Sequence, residues 1–219
     1  MPAVFDPSRP QVILVHGIWD NATRFDKMAA ALAAAGWQAH AVSLTPNDAS
    51  VPLEKSAEQL GAFVDRSLGP DRHFSIVAFS MGGLVARYYL QRLDGLPRLE
   101  RLVTISSPHH GTWTADFDWM PGAVQMRPGS TFLKDLNRDV TRLEVVPFTS
   151  IWSPQDIGIQ PPRSSELPFG VDVPIIGGRH STMLTDDRVI GAVLDALGTR
   201  GPGAAGYRGA LNPRGTAAR

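Results

Sequence analysis

The sequence predicts an α/β protein with a mostly parallel sheet of about six strands and helices on both faces. Three observations predict it. Short apolar runs, partly β-branched, recur along the chain and read as strands covered on both sides. Stretches with helical spacing separate them. The alternation continues over nearly all of the 219 residues, with no internal repeat. That length and a hydrophobic content of 43% suit one full core, hence one domain over residues 1–198.

Gln11–Val15 is the first strand and runs directly into His16-Gly17-Ile18-Trp19. Thr23 is placed to cap a helix from Phe25 to Ala35, which Gly36 stops. Trp37 to Leu44 reads as a strand, and Thr45-Pro46-Asn47-Asp48 as a turn. Leu53, Ala57, Leu60, Val64 and Leu68 then mark one face of a helix that Gly69-Pro70 ends. Phe74 to Ala78 is a buried strand. A helix follows from Gly83 to about Leu93, with Leu84, Val85, Tyr88 and Leu90 inward and Arg87, Gln91 and Arg92 outward. Leu99 to Ile105 is a strand, and residues 113–142 are irregular apart from a helix over Ser130 to Asn137. Val145 to Ile151 and Val171 to Ile176 are the last strands, and an amphipathic helix from Leu184 to Leu197 closes the series.

Ser80 sits where the strand pattern of Phe74 to Ala78 gives way to the helical one. A sharp strand-turn-helix corner crowds the positions two before and two after its apex. Ala78 and Gly82 supply the small side chains needed there, in the manner of a G-x-S-x-G nucleophile elbow whose first glycine is alanine.

Composition removes several other chemistries. The chain has no cysteine, which excludes disulfides, thiol catalysis and cysteine-ligated zinc. Formal net charge is zero, giving no reason to expect nucleic-acid binding. No run is long enough to span a bilayer, and no cofactor motif is visible. The start at Met1 lacks a basic segment followed by an apolar one, predicting a cytoplasmic protein if the chain is complete and a secreted one if it is a processed form. Residues 199–219 contain Arg200, Arg208, Arg214 and Arg219 and no acid, leaving the rest at a formal −4. Their Gly-, Pro- and Ala-rich composition predicts a disordered tail.

In a sheet of this kind ligands bind beyond the carboxyl ends of the strands. The polar residues just past predicted strand ends include Ser80, Asp156 and His180. A serine needs a base to take its proton, and the imidazole needs a carboxylate to orient it. These three residues have the types and order for that work. Backbone N–H groups should stabilise the oxyanion, one from the residue after the serine and one from the loop after the first strand, which points to Met81 and Ile18. His16 is an alternative base, though a residue at that place more naturally orders the loop. His109, His110, Asp116 and Asp118 could suggest a metal site, but adjacent histidines rarely aim at one point, and the expectation is no metal.

Val12-Ile13-Leu14-Val15-His16-Gly17-Ile18, Ala78-Phe79-Ser80-Met81-Gly82-Gly83, Ile105-Ser106-Ser107-Pro108-His109-His110-Gly111-Thr112, Ser150-Ile151-Trp152-Ser153-Pro154-Gln155-Asp156 and Gly177-Gly178-Arg179-His180 together resemble the small bacterial lipases and esterases of the α/β-hydrolase superfamily. The resemblance covers about residues 10–198. It implies an α/β-hydrolase fold with a minimal cap or none. It also implies hydrolysis of a small-molecule or lipid ester through an acyl-enzyme, with Ser80, Asp156 and His180 as the triad. Some lipase relatives bind calcium or zinc, but the expectation for this chain is no cofactor. Amidase, thioesterase or acyltransferase chemistry on the same triad is the alternative, and a catalytically silent binding protein is the rival of another class. Phe79 stands where that family usually has histidine. Trp19, Phe79, Trp113 and Phe117 are the candidate substrate-facing residues, and an exposed apolar surface beside the site would allow transient contact with a lipid interface.

Overall fold

The computed structural model describes residues 9–198. The predicted tail, residues 199–219, lies outside them. Six parallel strands form one sheet in the order β2-β1-β3-β4-β5-β6, with β1 at Gln11–Val15, β2 at Gln38–Val42, β3 at Phe74–Phe79, β4 at Leu99–Ile105, β5 at Phe148–Trp152 and β6 at Val171–Pro174.

Strand residues alternate between two apolar layers. Val12, Leu14, Val77, Phe79, Val103 and Ile105 face α1 (Asp26–Ala34) and α6 (Asp187–Leu197). Ile13, Val15, Ile76 and Ala78 face α2 (Leu53–Leu68) and α3 (Met81–Arg92). With both faces covered, β1 and β3 are buried throughout, which is why they read as mostly apolar runs. The chain starts at β1, steps outward to β2 and then returns to the other side of β1 for β3. The loops leaving β1 and β3 therefore diverge to opposite faces, and the crevice between them is the switch point at which such sheets bind ligands.

Several local expectations give way. Asn21, not Thr23, supplies the cap. Its Oδ1 accepts from the Thr23 N–H at 2.9 Å at the start of a 3₁₀ turn, Ala22–Phe25, that precedes α1. β5 begins at Phe148 because Val140–Val145 winds into another 3₁₀ turn that leaves Val145 exposed. Residues His180–Thr185 likewise form a 3₁₀ turn, so α6 starts at Asp187, capped by Asp186. The irregular stretch between β4 and β5 contains α4 (Pro121–Gln125) and α5 (Thr131–Arg138), the latter capped by Ser130 Oγ.

The largest correction concerns α3. Arg87 and Gln91 do not face solvent; they are 0% and 2% exposed. Arg87 Nη2 donates to Leu136 O and Asn137 Oδ1, each at 2.9 Å, and Gln91 Nε2 donates to Leu136 O. Arg92, half-buried, pairs with Asp135 and Asp139. Helix α5 thus covers what would have been the polar face of α3, and its terminal carbonyl finds donors there.

Candidate active site

Ser80 stands at the corner between β3 and α3 with φ 53° and ψ −126°, a conformation that L-residues rarely adopt. The surroundings hold it there. Its N–H donates to Ile105 O at the end of β4 (2.9 Å), and Gly83 N–H donates back to Ser80 O (3.0 Å). A Cβ on Gly82 would lie 2.5 Å from the carbonyl oxygens of Val15 and His16, so α3 can start this close to β1 only with glycine at that position.

The carboxyl ends of β3, β5 and β6 bring Ser80, Asp156 and His180 together. His180 Nε2 lies 3.0 Å from Ser80 Oγ, and His180 Nδ1 lies 2.9 Å from Asp156 Oδ2. A carboxylate only accepts, so Nδ1 carries the ring proton, and Nε2 is left to accept the Ser80 hydroxyl. Asp156 Oδ1 accepts from the N–H groups of Gly158 (2.8 Å) and Ile159 (3.2 Å). Burial works against the charge of this 1%-exposed residue, but the His180 hydrogen bond and charge, the nearby Ser106 hydroxyl and the Gly158 amide outweigh it and hold the carboxyl below its ordinary value.

Two residues crowd the His180 ring. Phe79 packs against it with ring centroids 4.9 Å apart. A Cβ on Gly158 would come within 2.6 Å of its Cγ. Phe79 is itself 3% exposed, which corrects its reading as a substrate-facing residue: it points to the α1/α6 side and supports the imidazole. Sequence reasoning missed Gly158 altogether.

Ile18 follows Gly17 in the loop after β1, and Met81 follows Ser80 at the start of α3. Met81 opens α3, so its N–H has no acceptor within the helix. The amides after Ile18 are committed, Trp19 N–H to Asn47 O at 2.7 Å and Asp20 N–H to Gly17 O at 3.4 Å. Among the described residues, neither the Ile18 nor the Met81 amide meets a backbone acceptor outside its own element. Gly17 sits so near Ser80 that a Cβ there would be 2.9 Å from the serine Cβ. His16 is fully buried and spent on the backbone: Nε2 accepts from Leu44 N–H at 2.9 Å, leaving Nδ1–H to donate to Gly17 O at 2.7 Å. It shapes the loop.

Trp19, Trp113 and Phe117 lie at the surface, the last 89% exposed, with Trp119 and Ile157 also exposed. Hydrogen bonds tie the Trp113 segment to the site. Trp113 N–H donates to Gln160 O at 2.9 Å, and Thr114 Oγ1 donates to the carbonyl of Gly158, the residue under His180, at 2.8 Å. Among the described residues, His109 and His110 form no metal-holding group with Asp116 and Asp118. His109 is buried with Nε2 3.1 Å from Thr104 Oγ1, and burial together with the Arg87 charge keeps it neutral, while the His110 N–H donates to Ser164. Among the described residues no group of three or more His, Asp or Glu could hold a metal ion.

A crevice at the switch point of a six-stranded parallel sheet, with a strained serine beside it, is the architecture of α/β-hydrolases, and solved structures agree. The chain aligns with the mature form of Bacillus licheniformis lipase BlEst2 at a TM-score of 0.71 and 17% identity, covering 89% of this chain and 94% of the lipase. It aligns with Aspergillus fumigatus lipase B at a TM-score of 0.75 and 19% identity, over 93% of this chain but only 56% of the fungal one. A monoacylglycerol lipase of Paleococcus ferrophilus gives a TM-score of 0.67 at 15% identity, covering 86% of this chain and 95% of that one. No curated protein matches the sequence. The family model of palmitoyl protein thioesterase matches residues 11–134, more than half of the chain, and the chain belongs to that family. The match takes in Ser80 and ends before Asp156 and His180.

Proposed function

We propose that this protein is a serine hydrolase that cleaves carboxylic esters through an acyl-enzyme, with Ser80 as nucleophile, His180 as base and Asp156 as the orienting acid. The observation that carries the reading is the pair of hydrogen bonds, 3.0 Å and 2.9 Å, that runs from Ser80 through His180 to Asp156. Ser80 Oγ attacks the acyl carbonyl as its proton passes to Nε2, and the buried carboxylate stabilises the imidazolium that forms. The N–H groups of Ile18 and Met81 receive the oxyanion. Collapse expels the alcohol, which takes the proton from Nε2. A water molecule then repeats the sequence on the acyl-serine with the same base.

The exposed rim of Trp19, Trp113, Phe117 and Trp119 supports an apolar acyl group and transient contact with a lipid interface. Membership of the palmitoyl protein thioesterase family favours a second reading, a long-chain thioester cleaved by the same residues. A panel of p-nitrophenyl esters of increasing chain length, run beside acyl thioesters of matched length, tests both. Higher kcat/KM on esters supports the first reading, higher kcat/KM on thioesters supports the second, and turnover of neither leaves a silent binder.

A further inference from the structure

We propose that Arg24 is a positioning residue, clasping the loop that carries the Ile18 amide to the turn that carries His180. The inference rests on the roles just assigned to Ile18 and His180 and adds what holds them in register.

The two groups come from distant parts of the chain. Ile18 lies after β1 and His180 after β6, on elements that leave opposite parts of the sheet. Arg24, in the 3₁₀ turn before α1, reaches both. Its Nε lies 2.9 Å from Asp20 Oδ1, an ion pair rather than an aligned hydrogen bond, and its Nη2 donates to Ser181 O at 2.8 Å. Asp20 is the second residue after Ile18, and Ser181 is the first after His180.

The loop end of this bridge is itself anchored. Asn47 O accepts from Trp19 N–H, and Asn47 Nδ2 donates to Asp20 O, each at 2.7 Å. Trp19 is held at φ 60°, a left-handed conformation costly for a bulky side chain, so the loop needs such anchors to keep its shape. A guanidinium presents donors in a rigid fork, which lets one side chain fix a carboxylate and a carbonyl in a set relation. Asp20 and Arg24 are 19% and 33% exposed, so solvent weakens the pair as a source of stability. Its consequence is geometric: it sets the spacing between the oxyanion donor and the base, on which transition-state stabilisation depends steeply.

Lys27 provides the control. From α1 its Nζ donates to Thr185 O at 2.8 Å and lies 2.7 Å from Asp187 Oδ1, so it ties α1 to the far end of the His180 turn and the start of α6 and not to Asp20 or Ser181.

Arg24→Gln, Asp20→Asn, the double variant, Lys27→Gln and Ser80→Ala are compared by kcat, KM and melting temperature on a soluble p-nitrophenyl ester. The expected result for Arg24→Gln is a fall of about tenfold in kcat, with KM held within about twofold. Asp20→Asn should lose a similar factor, and the double variant no more than the worse single, because both act through one bridge. Lys27→Gln should keep kcat within about twofold while lowering the melting temperature as much as Arg24→Gln does. Equal kcat in Arg24→Gln and Lys27→Gln, or losses that multiply in the double variant, would overturn the proposal. An inactive Ser80→Ala beside an unaffected Arg24→Gln discards the clasp and keeps the serine reading. An active Ser80→Ala discards both.

Discussion

Gly158 and His180 are in contact: a Cβ placed on Gly158 would lie 2.6 Å from the imidazole Cγ and 2.8 Å from Cδ2. Phe79 also packs on the ring, with centroids 4.9 Å apart, so the imidazole has no room for a side chain at position 158. Gly158 donates its N–H to Asp156 Oδ1, so backbone position and ring position are set together.

Gly158→Ala should therefore disable the site without removing any polar group. The added methyl must push the imidazole out of line with Ser80 Oγ, and a displacement near 1 Å can cost about 10²-fold. We expect at least about a tenfold loss of kcat in a folded protein. Gly191→Ala, in α6 with nothing within 4 Å of the new Cβ, is the matched control and should leave kcat unchanged. Equal kcat in the two variants would contradict this constraint.

The identity of the acid gives the second prediction. Asp156 stands in the turn after β5, four residues past Trp152, and contacts His180, whereas Asp172 lies within β6 and Glu166 pairs with Arg163 at 3.1 Å. Asp156→Asn keeps the size but favours the wrong imidazole tautomer, and should lower kcat by at least about 10²-fold. Asp172→Asn should stay near wild type. The reverse ranking would move the acid elsewhere.

Much of this was legible in the sequence, for physical reasons. A strand buried on both faces is mostly apolar along its length, so β1 and β3 stand out, and residues just past such strands are the ones a parallel sheet can gather. Ser80, Asp156 and His180 stand past such strands, and hydrogen bonds of 3.0 Å and 2.9 Å join them. What escaped were contacts made by distant segments. Arg87 has the look of a surface residue until α5 brings the Leu136 carbonyl and Asn137 to it. Gly158 shows no pattern of its own, because its constraint is a ring from 22 positions later. Phe79 departs from the histidine of the resembled family, and its packing on His180 shows its use. The start of β5 was set too early because a 3₁₀ turn and a strand both accept Val145 and Val146.

Acid stability follows from the Asp156 carboxyl. Its folded pKa lies below the ordinary value of 3.8, so the unfolded state binds the proton more tightly. The stabilisation is full above the ordinary carboxyl range and is lost as pH falls through it toward the lowered folded value. Melting temperatures of the wild type and Asp156→Asn, measured from about pH 6 to about pH 3, should converge as the pH falls. A gap that stays constant or widens toward acid would contradict this sign.

We also propose that residues 199–219 are dispensable for chemistry, since the site is complete before them. A chain ended at Thr199 should keep kcat/KM for a soluble ester within about threefold of the full chain. A larger loss with an unchanged melting temperature would give the C-terminal segment a part in the site.

The most direct test of the central claim is reaction of the protein with a fluorophosphonate, with the modified residue located by peptide mass spectrometry and ester turnover followed in parallel. The account predicts stoichiometric modification at Ser80, loss of hydrolysis in step with labelling, and neither labelling nor turnover in a folded Ser80→Ala variant. Modification at another residue, or a Ser80→Ala variant that still hydrolyses esters at the wild-type rate, would contradict it.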